Sequence, residues 1–444
     1  MRKLIAAFGA LLLCVTATAP GHAANVLKFA AAQAINWRGE VINVEPLAGF
    51  YKRQFFKGIW TGDKGLNRRG EELIAVIATA GADGLDQRDY LGALPADAAS
   101  LAGDDLSALE LYLSQAALRF SRDLFAGRTT PSISEPDIVI ARKQLDIAAL
   151  LGSMNKNGVA SVIDQLRPAQ DQYRALRDLL ARTQDPAMRR KIIVNMERWR
   201  WLPRDLGDTH VLVNVAGFEM LTQAGGKTID RRKVIVGEEF HKTPMFSDKI
   251  SFSQFNPTWT ISRSIAGNEI LPQLRKDPDY LKQKGYVLYT SWDADAPAMS
   301  ASQIDWSSVN RNDFPYRIVQ PAGPDNVLGQ VKFLFPNRFN VYLHDTSSRQ
   351  LFAKEDRALS HGCIRVEHAM EFAKLLYGLD NSLSPDKIDT LVTSDQTNDI
   401  KFRRPIPIHL AYFTLWVEPD GALSDLADIY SRDKPMELLL FGGA

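Results

Sequence analysis

From residue 44 to about residue 180, apolar side chains recur at spacings of three and four, the signature of helices with one buried face. The pattern predicts helices over Arg69–Ala80, Leu106–Leu124 and Pro136–Leu151, separated by Gly81-Ala82-Asp83-Gly84 and by Gly127-Arg128-Thr129-Thr130-Pro131. A further helix is expected over Ala181–Arg200, carrying Met188, Ile192, Ile193, Met196 and Trp199 toward a core and stopped at Pro203. Beyond Pro203 the period drops to two or the runs become β-branched. His210–Val215, Lys233–Val236, Val331–Phe335 and Asn340–His344 read as strands, with Gly225-Gly226 as a hairpin turn. Val366–Tyr377 reads as a helix with Ala369, Phe372, Ala373 and Leu376 on one face, and Pro407–Val417 pairs with a partner after Asp420-Gly421. The predicted class is α+β: a mainly helical domain over 44–200, a mainly β domain over 205–400, and a C-terminal hairpin over 401–435 that packs on one of them. Residues 271–321 form a mixed stretch with Trp292, Trp306, Phe314 and Tyr316, too long for an ordinary loop and expected to be an inserted lid or subdomain.

The first 23 residues break this picture. Arg2 and Lys3 precede an apolar run from Leu4 to Val15, and Gly21-His22-Ala23 offers small residues for cleavage, so a secretory signal peptide and a periplasmic destination are expected. No later stretch is apolar enough to span a bilayer, and no membrane span is expected after cleavage. With 45% hydrophobic and 24% charged residues the composition is that of ordinary globular domains. A net charge of +1, without basic runs that interleave aromatics, argues against nucleic acid as a partner.

Cysteine usage then supplies the chemistry. The chain has two cysteines, and cleavage of the leader removes Cys14. Cys363 is left within Ser360-His361-Gly362-Cys363-Ile364-Arg365, without a disulfide partner in an oxidising compartment. An imidazole or a helix N-terminus beside a thiol raises its thiolate fraction. Cys363 is expected just ahead of a helix, with the Gly362 and Cys363 amides available to a developing oxyanion. Among the histidines, His344 closes a predicted strand and is favoured as the base over His361, which sits on the tight turn of the motif itself. His368 reads as a surface or capping residue, and His210, His241 and His409 as structural. A single cysteine with scattered histidines lacks the paired spacing of a zinc site, so neither metal nor other cofactor is expected. On chemistry alone, a buried inert thiol stays open as the alternative.

His344, fifteen residues, and then Ser360-His361-Gly362-Cys363-Ile364-Arg365 resembles the signature of the YkuD-type L,D-transpeptidases, peptidoglycan cross-linking enzymes with a cysteine nucleophile. Asn256-Pro257-Thr258-Trp259, Gln320-Pro321-Ala322-Gly323, Leu334-Phe335-Pro336-Asn337 and Tyr342-Leu343-His344-Asp345-Thr346 are similar to the large periplasmic YcbB-like subgroup, which carries an N-terminal scaffold domain. So are Phe50-Tyr51 with Ile59-Trp60, and Asn195-Met196-Glu197-Arg198-Trp199-Arg200-Trp201. The resemblance implies attack by Cys363 on the diamino acid carbonyl of a tetrapeptide stem, loss of D-alanine, and transfer to an amine of a neighbouring stem as a 3-3 cross-link. Water as acceptor would make the same site a carboxypeptidase or a hydrolase of peptidoglycan-attached protein, and a non-catalytic wall scaffold is the remaining alternative. His344 is implied as base, Gly362 as part of the oxyanion site, and carbapenems as acylating inhibitors. Arg365 is a candidate for pairing with a stem carboxylate or bracing the loop, Ser360 for orienting His344 or capping the turn, and Trp259 and Tyr342 for lining the cleft. Stem peptides, and other wall-synthesis proteins, are the implied partners. One departure stands out: Tyr173-Arg174-Ala175-Leu176 runs to the Asn195 motif in about twenty residues, leaving no room for the peptidoglycan-binding module common in this subgroup.

Overall fold

The computed structural model describes residues 26–29, 32–63 and 65–442. The expected leader over 1–23 lies outside the described residues. The chain divides into two compact units: one runs to Arg128 and takes up again over Lys143–Thr183, and the other combines Thr129–Arg142 with everything from Gln184 onward.

The first unit is helical. Its longest helix, Gly103–Ala126, is surrounded by Glu45–Arg53, Arg68–Ala78, Ile147–Asn157 and Val159–Leu166, with a short hairpin of Ala34–Trp37 and Glu40–Asn43 at the side. Asn67 starts the Arg68–Ala78 helix by accepting from the Arg69 and Gly70 amides. The long helix buries Glu110, a carboxylate that would be costly alone. It accepts from the Tyr51 hydroxyl at 2.6 Å, the Ile59 amide at 2.7 Å, the Trp60 amide at 3.0 Å and Thr61 Oγ1 at 2.7 Å, so burial leaves it fully bonded.

Two expected helices differ. No helix covers 135–146; Glu135 to Arg142 belongs to the second unit as an extended strap. The β-branched run Ile138-Val139-Ile140 suits a bridge to Met245, with Val139 N donating to the Met245 carbonyl at 2.9 Å, and Arg432 binds Glu135 and Asp137 on either side of Pro136. Likewise the segment expected as one helix over Ala181–Arg200 is broken: Asp171–Arg182 ends, and Pro186–Trp201 starts with Asp185 accepting from the Met188 amide and Pro186 at its first position.

The core of the second unit is a sheet whose strands, numbered in chain order, are β1 Thr209–Asn214, β2 Glu219–Ala224, β3 Lys227–Gly237, β4 Phe246–Phe255, β5 Val331–Leu334, β6 Leu343–His344, β7 Ala358–Ser360, β8 Ile364–Val366 and β9 Asn398–Ala411. The order is β7-β3-β8-β6-β5-β4-β9-β1-β2, and β2 pairs again with β3, so the sheet closes on itself. The β6–β8 pair is parallel and its neighbours β5 and β3 pair antiparallel to it. Val331, Phe333, Leu343, Ile364 and Val366 are fully buried on one side of the sheet, and Phe333 meets Phe372 of the helix Ala369–Asp380 edge-on at 4.9 Å. Each such side chain contributes about 1.5–3 kcal/mol of burial, which fixes the register of short strands that have few hydrogen bonds of their own. β9 lies between β4 and β1 rather than in a separate C-terminal hairpin; the hairpin is the later pair Leu415–Val417 and Leu423–Asp425, followed by the helix Asp433–Phe441.

Between β4 and β5 the chain makes its inserted subdomain. It starts at Trp259, ahead of the expected Leu271, and forms a four-stranded sheet of Trp259–Thr260, Val287–Tyr289, Ala298–Met299 and Arg317–Gln320. It has its own core of Ile261, Leu271, Leu274, Leu288, Trp306, Phe314 and Ile318. The chain leaves and rejoins the main sheet at one rung, since Phe255 pairs with Val331 and Asn256 N donates to the Gln330 carbonyl at 2.9 Å.

Candidate active site

Register builds the site. Leu343 pairs with Ile364 and His344 with Arg365 in the parallel β6–β8 ladder, while Lys332 of β5 pairs with His344 from the other side. Side chains alternate along a strand, so burial of Leu343, Ile364 and Phe333 turns His344, Arg365 and Lys332 to the opposite face. Tyr342 and Cys363, one step earlier on their strands, join them, and the Ile364 amide donates to the Tyr342 carbonyl at 3.0 Å. The thiol is partly exposed on this face. A strand, β8, follows it, so the helix expected directly behind Cys363 begins only at Ala369.

The turn that carries the thiol is held by the motif's own polar groups. Ser360 Oγ donates to the Cys363 carbonyl at 2.5 Å and accepts from the Gly362 amide at 3.1 Å, which makes Ser360 the brace of the turn. The Gly362 amide, expected to face an oxyanion, is thereby engaged. Gly362 supplies instead a φ of +102°, which a side chain would strain. No hydrogen bond among the described residues engages the Cys363 amide, which keeps it available as a donor. Behind the turn, Thr243 Oγ1 donates to the Gly362 carbonyl at 2.9 Å and accepts from the Gly237 amide at 2.9 Å.

Cys363 Sγ lies 3.8 Å from the Asn340 carbonyl. Burial raises the thiol pKa above its ordinary value, and the nearby Tyr342 hydroxyl and amide together with the Arg365 and Lys332 charges oppose that rise. His344 is buried, with its ring edge-on to Tyr342 at 5.6 Å, and its Nδ1 is 2.5 Å from the Asp345 carbonyl. A carbonyl only accepts, so Nδ1 carries the proton and Nε2 presents a lone pair. Burial, and then the Arg365 charge, push the His344 pKa down to about 3. The resting pair at neutral pH is therefore a neutral thiol and a neutral imidazole, and among the described residues no direct hydrogen bond joins them. Asp345 fixes the carbonyl that orients His344 through its own carboxylate, which accepts from the Gln330 amide at 2.9 Å.

Lys332 and Arg365 flank His344, and neither has an ion-pair partner among the described residues. Burial lowers the pKa of both. Two half-buried cations on the thiol's face, neither of them ion-paired, make a site for a carboxylate. Sequence reading missed Lys332, which only the pairing of β5 with β6 brings in, and it left Asp345 without a role although Asp345 follows His344 in the Tyr342–Thr346 motif. His361 points elsewhere, with Nε2 2.7 Å from Glu269 of the inserted subdomain and its ring 4.8 Å from that of His241. Trp259 lies in the inserted sheet, edge-on to Tyr286 at 6.3 Å. His210 and His409 are buried edge-to-face at 5.6 Å, and His368 is exposed at the start of the helix Ala369–Asp380. His241, expected to be structural, is exposed on the turn Glu239–His241 after β3.

Comparison with known proteins identifies the domains. Residues 208–392 match the model of the L,D-transpeptidase catalytic domain, YkuD, and residues 45–180 match that of the Scaffold domain. The chain carries a YkuD L,D-transpeptidase catalytic domain. A provisionally named L,D-transpeptidase of Haemophilus influenzae is 31% identical over 294 residues, 65% of this chain and 58% of its own length. The chain thus spans somewhat more than half of that curated relative. Among solved structures, an L,D-transpeptidase from Mycobacterium smegmatis is 12% identical and covers 46% of this chain and 58% of its own, with a TM-score of 0.21. The Ldtfm-avibactam carbamoyl enzyme is 13% identical over 46% of this chain and 49% of its own, also with a TM-score of 0.21. Among the described residues, no helix is long and apolar enough to cross a membrane.

Proposed function

We propose that the chain is a periplasmic peptidoglycan L,D-transpeptidase in which Cys363 carries the acyl group between two stem peptides. The observation that supports this most is the placing of a partly exposed thiol, a neutral imidazole and two unpaired cations on one face of the sheet. The terminal carboxylate of a tetrapeptide stem sits on Lys332 and Arg365, which sets the preceding carbonyl at Cys363. As the stem enters, Cys363 passes its proton to His344 Nε2 and its sulfur bonds to the diamino acid carbonyl carbon. The Cys363 amide and the Tyr342 hydroxyl hold the oxyanion. The imidazolium returns the proton to the leaving nitrogen as the C–N bond breaks and D-alanine departs. An amine of a second stem attacks the thioester, gives its proton to His344, and the expelled thiolate recovers that proton.

Purified protein given tetrapeptide muropeptides is expected to yield 3-3 linked dimers and free D-alanine by mass spectrometry. Tripeptide monomer alone would assign a carboxypeptidase, and unchanged substrate would assign a non-catalytic wall protein. Cys363→Ala removes both products.

A further inference from the structure

The turn after β3 and the motif turn are stitched together at their backbones. Glu238 N donates to the Ser360 carbonyl at 2.9 Å, and Gly237 approaches Gly362 so closely that an added Cβ would stand 3.0 Å from its Cα. The Tyr430 hydroxyl donates to the Gly237 carbonyl and takes the Thr243 amide at 3.0 Å. On this fixed frame the donor atoms of Glu238, His241 and His361 all lie within 4.8 Å of one another. A fourth group from the inserted subdomain touches this cluster through His361 alone: Glu269, at 2.7 Å from His361 Nε2, on the π-helical segment Ala266–Ile270. Glu238 lies 2.8 Å from His241 Nδ1, and among the described residues neither carboxylate has a lysine or arginine partner. Glu238 and Glu269, each bonded to one of the two accessible imidazoles, carry two uncompensated negative charges when the imidazoles are neutral.

We infer that Glu238, His241, His361 and Glu269 form a binding site for a divalent transition metal, of which Zn²⁺ is the chemical type. Nitrogen and carboxylate oxygen are ligands that Zn²⁺ takes at about 2.0–2.2 Å, which sets tetrahedral donors ~3.3 Å apart. Small side-chain rotations on the stitched backbone close the present spread to that distance. The ion neutralises the two carboxylates and ties the inserted subdomain to the turn that bears the thiol. The sequence does not display the site, because Glu269 and His361 come together only through the insertion.

The test uses the purified full chain, reduced and stripped with chelator, titrated with Zn²⁺ against a chromogenic competitor. One Zn²⁺ per chain is expected, with affinity lowered by at least ~10-fold in each of Glu238→Gln, His241→Asn and Glu269→Gln, and stoichiometry unchanged in Cys363→Ser. These side chains are exposed, and melting curves of the variants without metal establish that they fold. Absence of binding at 100-fold excess Zn²⁺ overturns the site. So does binding that survives His241→Asn and vanishes in Cys363→Ser, which would place the ion on the thiol. The readout is metal binding, so its failure leaves the acyl-transfer reading untouched.

Discussion

At the scale of single residues, the site is set up as a neutral pair rather than a ready ion pair. Burial acts on both partners in the same sense, against the charged form of each, so thiolate and imidazolium are both disfavoured at rest. Alkylation of Cys363 by iodoacetamide, followed by mass spectrometry, is therefore expected to be slow at pH 7 and to rise through pH 9 and above. A rate already at its plateau by pH 6 would mean a preformed thiolate. Lys332 and Arg365 lead to a second expectation, since each charged hydrogen bond to a substrate carboxylate is worth about 1.5–3 kcal/mol. Lys332→Met and Arg365→Met should each lower kcat/KM on a tetrapeptide stem by ~10- to 100-fold, and by much less on a stem whose terminal carboxylate is an amide. Equal losses on both stems would assign the two residues to the framework alone.

At the scale of elements, the motif turn depends on a neighbour far away in sequence. Replacing Gly237 by alanine puts a Cβ 2.0 Å from the His241 carbonyl and crowds Gly362. Gly237→Ala should therefore lower the melting temperature by at least ~3 °C and slow acylation of Cys363 by a carbapenem; an unchanged melting curve would show that the two turns part easily. The same elements mark what the sequence could and could not tell. Strong periodicity announced the helices around Gly103–Ala126, the strands β1, β3 and β5, and the Gly225-Gly226 turn, whose φ values of +56° and +73° explain the two glycines. β2, with Glu219-Met220-Leu221-Thr222-Gln223-Ala224, lacks β-branched residues apart from Thr222 and reads as nothing in particular. The strap over Glu135–Arg142 has a spacing that fits a helix, and its ion pairs to Arg432 override that preference. Cys363, His344 and Tyr342 were legible because two short motifs hold them. Lys332 and Glu269 were not, since each reaches its place through tertiary pairing alone.

At the scale of the whole molecule, buried neutral histidines link stability to pH. Burial lowers the His409 pKa to about 4 and that of His344 to about 3, while an unfolded histidine titrates near 6.5. The folded form then binds fewer protons than the unfolded one below that value, so stability is full above about pH 6.5 and falls as the pH drops toward 4. At pH 5 the loss is about 2 kcal/mol for each histidine, measurable by urea unfolding at pH 7.5 and 5. Equal stability at the two pH values would mean that these imidazoles charge in place. The rung that joins Phe255 to Val331 has a consequence of another kind. Because the chain departs and returns at adjacent partners, the segment between them is topologically a long hairpin turn with its own core. Exchange of residues 257–329 for a tight turn should leave a folded barrel with strand content and a cooperative melting transition by circular dichroism. A lineage can thus trade one cap for another in a single genetic event, changing which wall peptides are admitted while the chemistry beneath is inherited intact.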